Sequence, residues 1–322
     1  MATRTIRILL PEKLNGFVER TVKGGCYQGA SEVIREALRR MEASELRDEL
    51  RQFEQAFAGG HDRAETDEDI QRVEAAVQAG RKHYDEQDIH MNLYVGTSGY
   101  SYKEWKGPFY PKDLSAKRML HFYGERFRAV EINNTFYSMP KASVLEVWRE
   151  DVPADFKFVL KAPKQITHIQ QLKGAGDLVS YLFKAAEALQ ERLGPLLFQL
   201  PPYLKKDVSR LREFLALLPP NRCVAFEFRH QSWFEPEVFD LLRDHQAALC
   251  IAEAEGDLEV PFVSTTDWGY LRLRRPEYGD AELKAWVERV QQQDWRDAFV
   301  FFKHEDAGKG PQFAKRFLEL AK

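Results

Sequence analysis

The chain has 322 residues, 44% of them hydrophobic and 30% charged, with a formal net charge of −3. That length points to two domains, and the composition allows a large core to be buried without disulfides or a structural metal. No stretch approaches the ~18 consecutive apolar residues that cross a membrane, and Met1 to Arg7 lack the apolar segment and cleavage site of a secretory signal, so a cytoplasmic protein with no membrane partner is expected. The charge is unevenly spread: residues 1–40 sum to +4, residues 41–90 to −8 and the remainder to +1. A basic head, an acidic neck and a neutral body suggest three jobs. Cys26, Cys223 and Cys250 are widely spaced and form no CxxC pair, which signals neither a disulfide framework nor a zinc site.

In chain order, residues 3–10 place Ile6, Ile8 and Leu10 on one face of a strand and Thr5, Arg7 and Leu9 on the other. Pro11 opens a helix that carries Leu14, Phe17, Val18 and Val22 and ends at Gly24-Gly25. Ser31 caps a second helix with Val33, Ile34, Ala37, Leu38 and Met41 on its apolar side. One strand and two short helices cannot bury this much apolar surface, and a lone strand has no hydrogen-bonding partner. A second copy is therefore expected to supply both, as in a ribbon-helix-helix dimer whose paired strands enter the DNA major groove.

The run from Arg7 to Met41, with its LPE-L helix start and G-SEV-REALR second helix, resembles the ParD-type antitoxins. The resemblance implies that Thr5, Arg7 and Leu9 face the bases, and that Gly29, Ala30 and Ser31 hold a backbone phosphate through their amides. Leu9 departs from it, being apolar where the family more often presents a polar group. Arg7 can donate bidentately to guanine O6 and N7, worth roughly 1–3 kcal/mol of base discrimination. The +4 head suits duplex DNA, and operator DNA and a second copy paired through the N-terminal strand are the expected partners. The competing reading is that this module only dimerises the protein.

Residues 43–90 form the acidic neck. Leu46, Leu50, Phe53 and Phe57 make one helical stripe, and Ile70, Val73, Val77 and Tyr84 another. By the same resemblance, residues 45–88 are expected to wrap a ParE-type toxin, which acidic amphipathic helices suit. A solvated linker is the alternative.

From residue 91 the pattern changes to short apolar strands alternating with amphipathic helices. Strands are predicted near 93–97, 129–133, 156–160, 195–199, 223–227, 248–252, 269–273 and 298–302. Helices are predicted from Leu114 to Phe127, Ala142 to Glu150, Asp177 to Leu193, Val208 to Leu218, Glu235 to His245, Ala281 to Gln292 and Gln312 to Ala321. The connection from Glu253 to Pro261 looks too short for a helix. Eight such units close as a (β/α)8 TIM-type barrel, so the fold class is α/β: a barrel over 91–322 with a small ribbon-helix-helix module over 1–42. Met91 followed by "NLYVGTSGYSYKEWKGPFYP" reads like the start of a free-standing protein. Together with "VEINNTFYSMP", "ITHIQQL", "LGPLLFQLPP", "AFEFRHQSW" and "FVFFKHEDAGKGPQFA", it resembles the YecE-like family, also called domain of unknown function 72. That resemblance implies the barrel and no established reaction.

Strand parity then selects candidate residues. Val130 and Ile132 alternate with Glu131 and Asn133, and Val224, Phe226 and Phe228 alternate with Ala225, Glu227 and Arg229. Apolar residues face the helices, so the polar set faces the lumen. The same reading puts Lys161, Gln199, Arg272, Arg274, Lys303 and Glu305 at the carboxyl ends of their strands, where barrels keep their sites. These cations would attract an anion such as a phosphate ester or nucleic-acid backbone. Glu131, Glu227, Glu305, His168 and Lys303 are the candidate catalytic groups, with His304 a further proton carrier. Asn133, Lys161, Gln199, Arg229, Arg272 and Arg274 are candidate substrate contacts, with Trp105, Tyr137 and Trp233 able to stack on a ring. Thr97 and Ser98 in "GTSGY" offer hydroxyls to an anion. The five barrel histidines form no HxH or HExxH pair to seed a three-zinc site, so no metal ligands are assigned, although Glu131, Glu227 and Glu305 could instead hold one hard divalent ion; no nucleotide-cofactor motif is found. Three readings stay open: an antitoxin-like regulator carrying a barrel, a barrel enzyme that the head merely dimerises or localises, and two proteins joined at Met91 without a combined purpose. For the mouth itself, the competing reading is an internal ion-pair network that stabilises the barrel.

Overall fold

The computed structural model describes residues 91–322 except 221, 254–257 and 305. Eight parallel strands close on themselves in chain order: β1 (Asn92–Ser98), β2 (Ala129–Ile132), β3 (Lys157–Lys161), β4 (Leu193–Gln199), β5 (Val224–Glu227), β6 (Ala247–Ala252), β7 (Trp268–Leu273) and β8 (Asp297–Phe302). β8 pairs with β1 from Asn92 opposite Asp297 to Thr97 opposite Phe302, which closes the barrel and leaves no open edge. The strands fall within two residues of the bounds expected from their apolar runs.

The outer ring comprises α1 (Met119–Gly124), α2 (Asn134–Tyr137), α3 (Ala142–Glu150), α4 (Gly176–Ala186), α5 (Val208–Leu215), α6 (Pro236–Asp244), α7 (Asp280–Gln291) and α8 (Lys309–Leu320). Local chemistry fixes several of their starts. The Asp207 carboxylate accepts from the Arg210 amide at 3.0 Å at the head of α5, and Pro236 occupies the first turn of α6. Three expected helices are shorter than their periodicity suggests, among them α5, which ends at Leu215 rather than Leu218. The stretch from Leu114 divides into a 3-10 turn at Ala116–Arg118 and α1. The stretch from Asp177 gives up α-geometry at Glu187, and Gln190, at φ 51°, turns the chain into β4. Apolar periodicity does not register a single left-handed residue inside an otherwise continuous stripe. Between β6 and β7 no helix occurs among the described residues.

Inside the barrel the amino-terminal half is a packed apolar plug. Tyr94 stacks on Phe299 with centroids 4.8 Å apart, and Trp268 meets Phe299 edge-on at 6.0 Å. Bulk on one strand is matched by small residues on the next: Tyr270 lies opposite Cys250, and Arg272 opposite Ala252. The large β7 side chains can therefore extend across the lumen without overpacking it. Cys250 is buried in this layer and Cys223 is half-buried, both as free thiols; Cys26 lies outside the described residues. The remaining core lies between strands and helices, with Phe158, Phe198, Phe214, Phe226 and Phe317 all buried there. Among the described residues no helix is long and apolar enough to cross a membrane.

Candidate functional site at the barrel mouth

Above the apolar plug the lumen turns ionic. Glu131 on β2 and Glu227 on β5 are both 0% exposed, and Arg272 on β7 lies between them at 1%. Arg272 donates through Nη2 to Glu131 Oε1 at 2.8 Å and through Nη1 to Glu227 Oε2 at 2.5 Å. Glu131 also accepts from Ser98 Oγ at 2.7 Å and from the Tyr270 hydroxyl at 2.5 Å, while Gln199 Nε2 donates to Glu227 Oε1 at 2.8 Å. Strand register brings these groups together: Ser98 lies opposite Glu131, and Gln199 opposite Glu227. Each carboxylate oxygen has at least one donor, which is how buried charge is tolerated.

This layer sets the protonation of its members. Burial pushes the Glu227 carboxyl up, but the Arg272 and Arg274 guanidiniums overcome it and hold the group down at about 2. Glu227 is therefore an anion throughout the neutral range, which withdraws it as a proton donor. Burial opposes the charge on Arg272, but Glu131 and Glu227 hold it well above the usual arginine value. Burial and the Glu131 charge raise the Tyr270 phenol, which stays a hydrogen-bond donor. The expectation that Arg272 contacts substrate is corrected: both its Nη atoms are engaged with carboxylates and the side chain is sealed from solvent.

A second tier lies at the rim. Lys161, the last residue of β3, keeps 8% of its exposure and makes no ion pair with a described residue. Its Nζ lies 4.2 Å from the centroid of the Phe136 ring. Burial, then the Arg272 charge, lowers its amine to about 8; Glu131 and Glu227 counteract in part, and Lys303 adds to the lowering. Lys303, just past β8, is exposed and makes no ion pair with a described residue. Arg229 Nε is 3.9 Å from Glu227 Oε1 and Arg274 Nη2 is 3.7 Å from the same oxygen. Arg274 Nε also donates to the Glu253 carbonyl at 3.0 Å. Asn133, following β2, is half-buried.

His168 lies on the same side, in a π-helical turn over Gln165–Ile169 that follows β3. Its Nδ1 is 2.9 Å from Thr167 Oγ1, and its ring meets the Phe136 face edge-on at 4.9 Å. Burial, followed by the Lys161 and Arg229 charges, lowers its pKa, so the imidazole is neutral near pH 7. The turn is followed by Gln171 and Leu172 at φ 49° and 71°, a left-handed pair that L-residues adopt only when surrounding structure imposes it. Buried Leu172 anchors that pair in the core. π-turns and imposed backbone of this kind concentrate at functional sites.

Several other candidates lie elsewhere. Trp233 is 0% exposed, stacks on Phe228 at 4.7 Å and donates its indole N–H to the Leu204 carbonyl at 2.7 Å. Its expected role in stacking a ligand is corrected, because its loop folds it onto the helix-facing side of β5. Trp105 is likewise buried, among Tyr102, Phe109 and Tyr110. His304 packs on Phe313 and Tyr278, with Nε2 against the Arg275 carbonyl. The "GTSGY" hydroxyls are spent internally: Thr97 Oγ1 donates to the Gly99 carbonyl at 2.6 Å, and Ser98 serves Glu131. Tyr137 is 72% exposed on the rim, with Lys164 Nζ 5.9 Å from its ring. Glu305 lies outside the described residues, as do Thr5, Arg7, Leu9, Gly29, Ala30, Ser31 and the neck over 43–90. Sequence reasoning passed over Tyr270, although it shares the parity of Arg272 two residues on. Among the described residues, no three His, Cys, Asp or Glu side chains converge to hold a metal.

Two family matches fall on different parts of the chain. Residues 94–322 match the family described as protein of unknown function DUF72. Residues 1–81 match the family described as bacterial antitoxin of ParD toxin-antitoxin type II system and RHH, the ribbon-helix-helix fold. The UPF0759 protein YunF of Bacillus subtilis is 26% identical over 71% of this chain and 94% of its own length. The UPF0759 protein YecE of Escherichia coli K12 is 31% identical over 44% of this chain and 50% of its own length. Among solved structures, a DUF72 family protein from Thermotoga maritima superposes with a TM-score of 0.65 at 29% identity, covering 72% of this chain and 99% of the other. One from Enterococcus faecalis superposes with a TM-score of 0.63 at 18% identity over 71% and 95%, which bears on the fold alone.

Proposed function

The chain belongs, through residues 94–322, to the family described as protein of unknown function DUF72, and from that premise we propose that it is an antitoxin-like DNA-binding regulator whose barrel mouth takes an anionic, phosphorylated ligand. The observation that carries the barrel half of this reading is an imbalance of charge. Arg272 occupies the inner carboxylates, which leaves Lys161 and Lys303 without an ion pair to a described residue, and Arg229 and Arg274 at 3.7 Å or more from a carboxylate oxygen they share. Cations held together at a barrel mouth and lacking close counter-ions raise the local concentration of anions, and guanidiniums suit phosphate in particular. Half-buried Asn133 and exposed Tyr137 line the approach and suit the polar and ring portions of such a ligand.

A catalytic reading of the same mouth is favoured by His168. A neutral imidazole beside two cations, in a turn that the backbone is made to adopt, is suited to move protons on a bound phosphate ester. Lys303 completes that arrangement as an electrostatic clamp, while Glu227, paired with Arg272, sets the field rather than exchanging protons. Native mass spectrometry of the full chain from its expression host tests the anion reading. A bound species carrying phosphate, lost when Arg229 and Lys303 are both replaced by Ala, is expected; retention of the same species by that variant contradicts the reading.

The head is proposed to act as the match over residues 1–81 suggests. Two copies pair residues 3–10 into a ribbon that presents Thr5, Arg7 and Leu9 to the major groove of an operator, with Gly29, Ala30 and Ser31 on the backbone. Residues 45–88 are proposed to receive a ParE-type toxin. Mobility-shift assays of the full chain on fragments of its own promoter are expected to give a salt-sensitive complex, and absence of any complex at low salt contradicts this half.

A further inference from the structure

We propose that Lys161 is a carbonyl-reactive amine, and that the ligand of the mouth is a phosphorylated aldehyde or ketone whose carbonyl condenses with its Nζ. This rests on the anion-binding reading above and adds the reacting group. Three features of geometry carry it. Lys161 ends β3 at the carboxyl side of the lumen, buried to 8% exposure yet at the tier that opens to the rim. Its Nζ faces an aromatic ring at 4.2 Å where lysines of this burial ordinarily meet a carboxylate. The carboxylates in its neighbourhood, Glu131 and Glu227, are both engaged by Arg272.

A lysine needs to be neutral to attack a carbonyl, and burial beside another cation is the arrangement that makes it so. The charged and titratable groups around Lys161 are Arg272 on β7, Glu131 on β2, Glu227 on β5, Lys303 after β8, and His168 with Arg229 at the rim. Burial and the two cations outweigh the two carboxylates and bring the amine down to about 8. Near pH 7 the free-amine fraction is then on the order of a hundred times that of an ordinary lysine.

The chemistry balances without an added oxidant or reductant. The Nζ lone pair forms a bond to the carbonyl carbon, the carbonyl π pair moves to oxygen, and a proton passes from nitrogen to that oxygen to give the carbinolamine. Protonation of the hydroxyl by His168 in its acid form, or by water, lets the C–O bond break with loss of water as the nitrogen lone pair closes the C=N bond. The product is a protonated imine on Lys161, with one water released. Lys303, Arg229 and Arg274 hold the phosphate meanwhile. Neutral His168 can take a proton from the carbon next to the imine, which is the step such an adduct makes easy.

The test is reductive trapping on the full chain with sodium cyanoborohydride and glycolaldehyde phosphate, with unphosphorylated glycolaldehyde as the control and adducts located by peptide mass spectrometry. Lys161 is expected to be modified about tenfold faster than exposed lysines such as Lys103 and Lys117, with trapping rising as pH increases from 6 and levelling above about 8. Glycolaldehyde alone should label it more slowly, and inorganic phosphate should compete. Lys161→Arg should fold as wild type and give no adduct at position 161. Labelling spread over surface lysines, with Lys161 no faster, overturns the proposal. Phosphate binding to Lys161→Met, followed by 31P line broadening, separates the two claims: binding without Lys161 trapping in the wild type removes the imine and leaves the anion site. No phosphate binding to either protein removes the anion site, and preferential trapping by glycolaldehyde alone then decides the amine by itself.

Discussion

Arg272 and Lys161 both reach the lumen near the carboxyl ends of their strands, yet Arg272 meets two carboxylates at 2.8 and 2.5 Å while Lys161 meets an aromatic face at 4.2 Å. The first is charge that folding has consumed. Glu131, Arg272 and Glu227, with Ser98, Tyr270 and Gln199 around them, form a buried hydrogen-bonded set below the mouth. The second is charge left over, lowered in pKa and set over the Phe136 ring. Within one ring of strands, satisfaction by partners separates the residues that hold the barrel together from those available to a ligand.

Breaking the inner set should have the largest effect. Arg272→Met leaves two buried carboxylates uncompensated and is expected to cost about 3–5 kcal/mol in urea unfolding. Adding Glu131→Gln and Glu227→Gln to it should recover most of that loss, since no charge is then stranded. A loss under about 1 kcal/mol for the single variant contradicts the assignment.

Acid should show the same coupling. The folded pKa of Glu227 lies below its unfolded value of 4.5, so its contribution to stability is present above pH 4.5 and is lost as pH falls toward about 2. Unfolding free energy between those pH values should fall more steeply for the wild type than for Glu227→Gln, and equal slopes would count against the pairing. Lys161 carries the opposite sign. Its folded pKa is lowered from 10.5 to about 8, so the unfolded chain binds more protons across that window and stability rises with pH through it. Lys161→Met should abolish that rise and gain roughly 1–3 kcal/mol at pH 7. A clear loss of stability on this change would place Lys161 with Arg272 rather than apart from it. The last effect in this series concerns the head: Arg7→Ala should weaken operator binding by roughly 1–3 kcal/mol and relax preference at one base pair, read by mobility shift.

Much of the barrel was legible because its signals are local. Eight apolar runs, their turn residues and the alternation of Val130 and Ile132 with Glu131 suffice to place strands and to say which side chains point inward. Depth and pairing were not legible. Parity treats Lys161 and Arg272 alike, whereas Arg272 pairs with Glu131 across 141 positions of sequence and Lys161 meets the Phe136 ring, neither of which strand alternation reveals. The misplacement of Trp233 has a similar origin. It lies in a loop, where strand parity gives no direction, and its partners Phe228 and Leu204 are fixed only by the fold. The shortening of α4 depends on the conformation of Gln190, a residue with no special signal of its own.

The central claim is that the outer tier is free to bind an anion while the inner tier is not. Isothermal titration calorimetry of inorganic phosphate into the full chain, with Arg229→Ala/Lys303→Ala alongside, tests it most directly. Saturable binding that weakens with added salt and disappears in the double variant, whose thermal unfolding stays close to wild type, is the predicted result. Absence of phosphate binding to the wild type, or undiminished binding to the double variant, would contradict it.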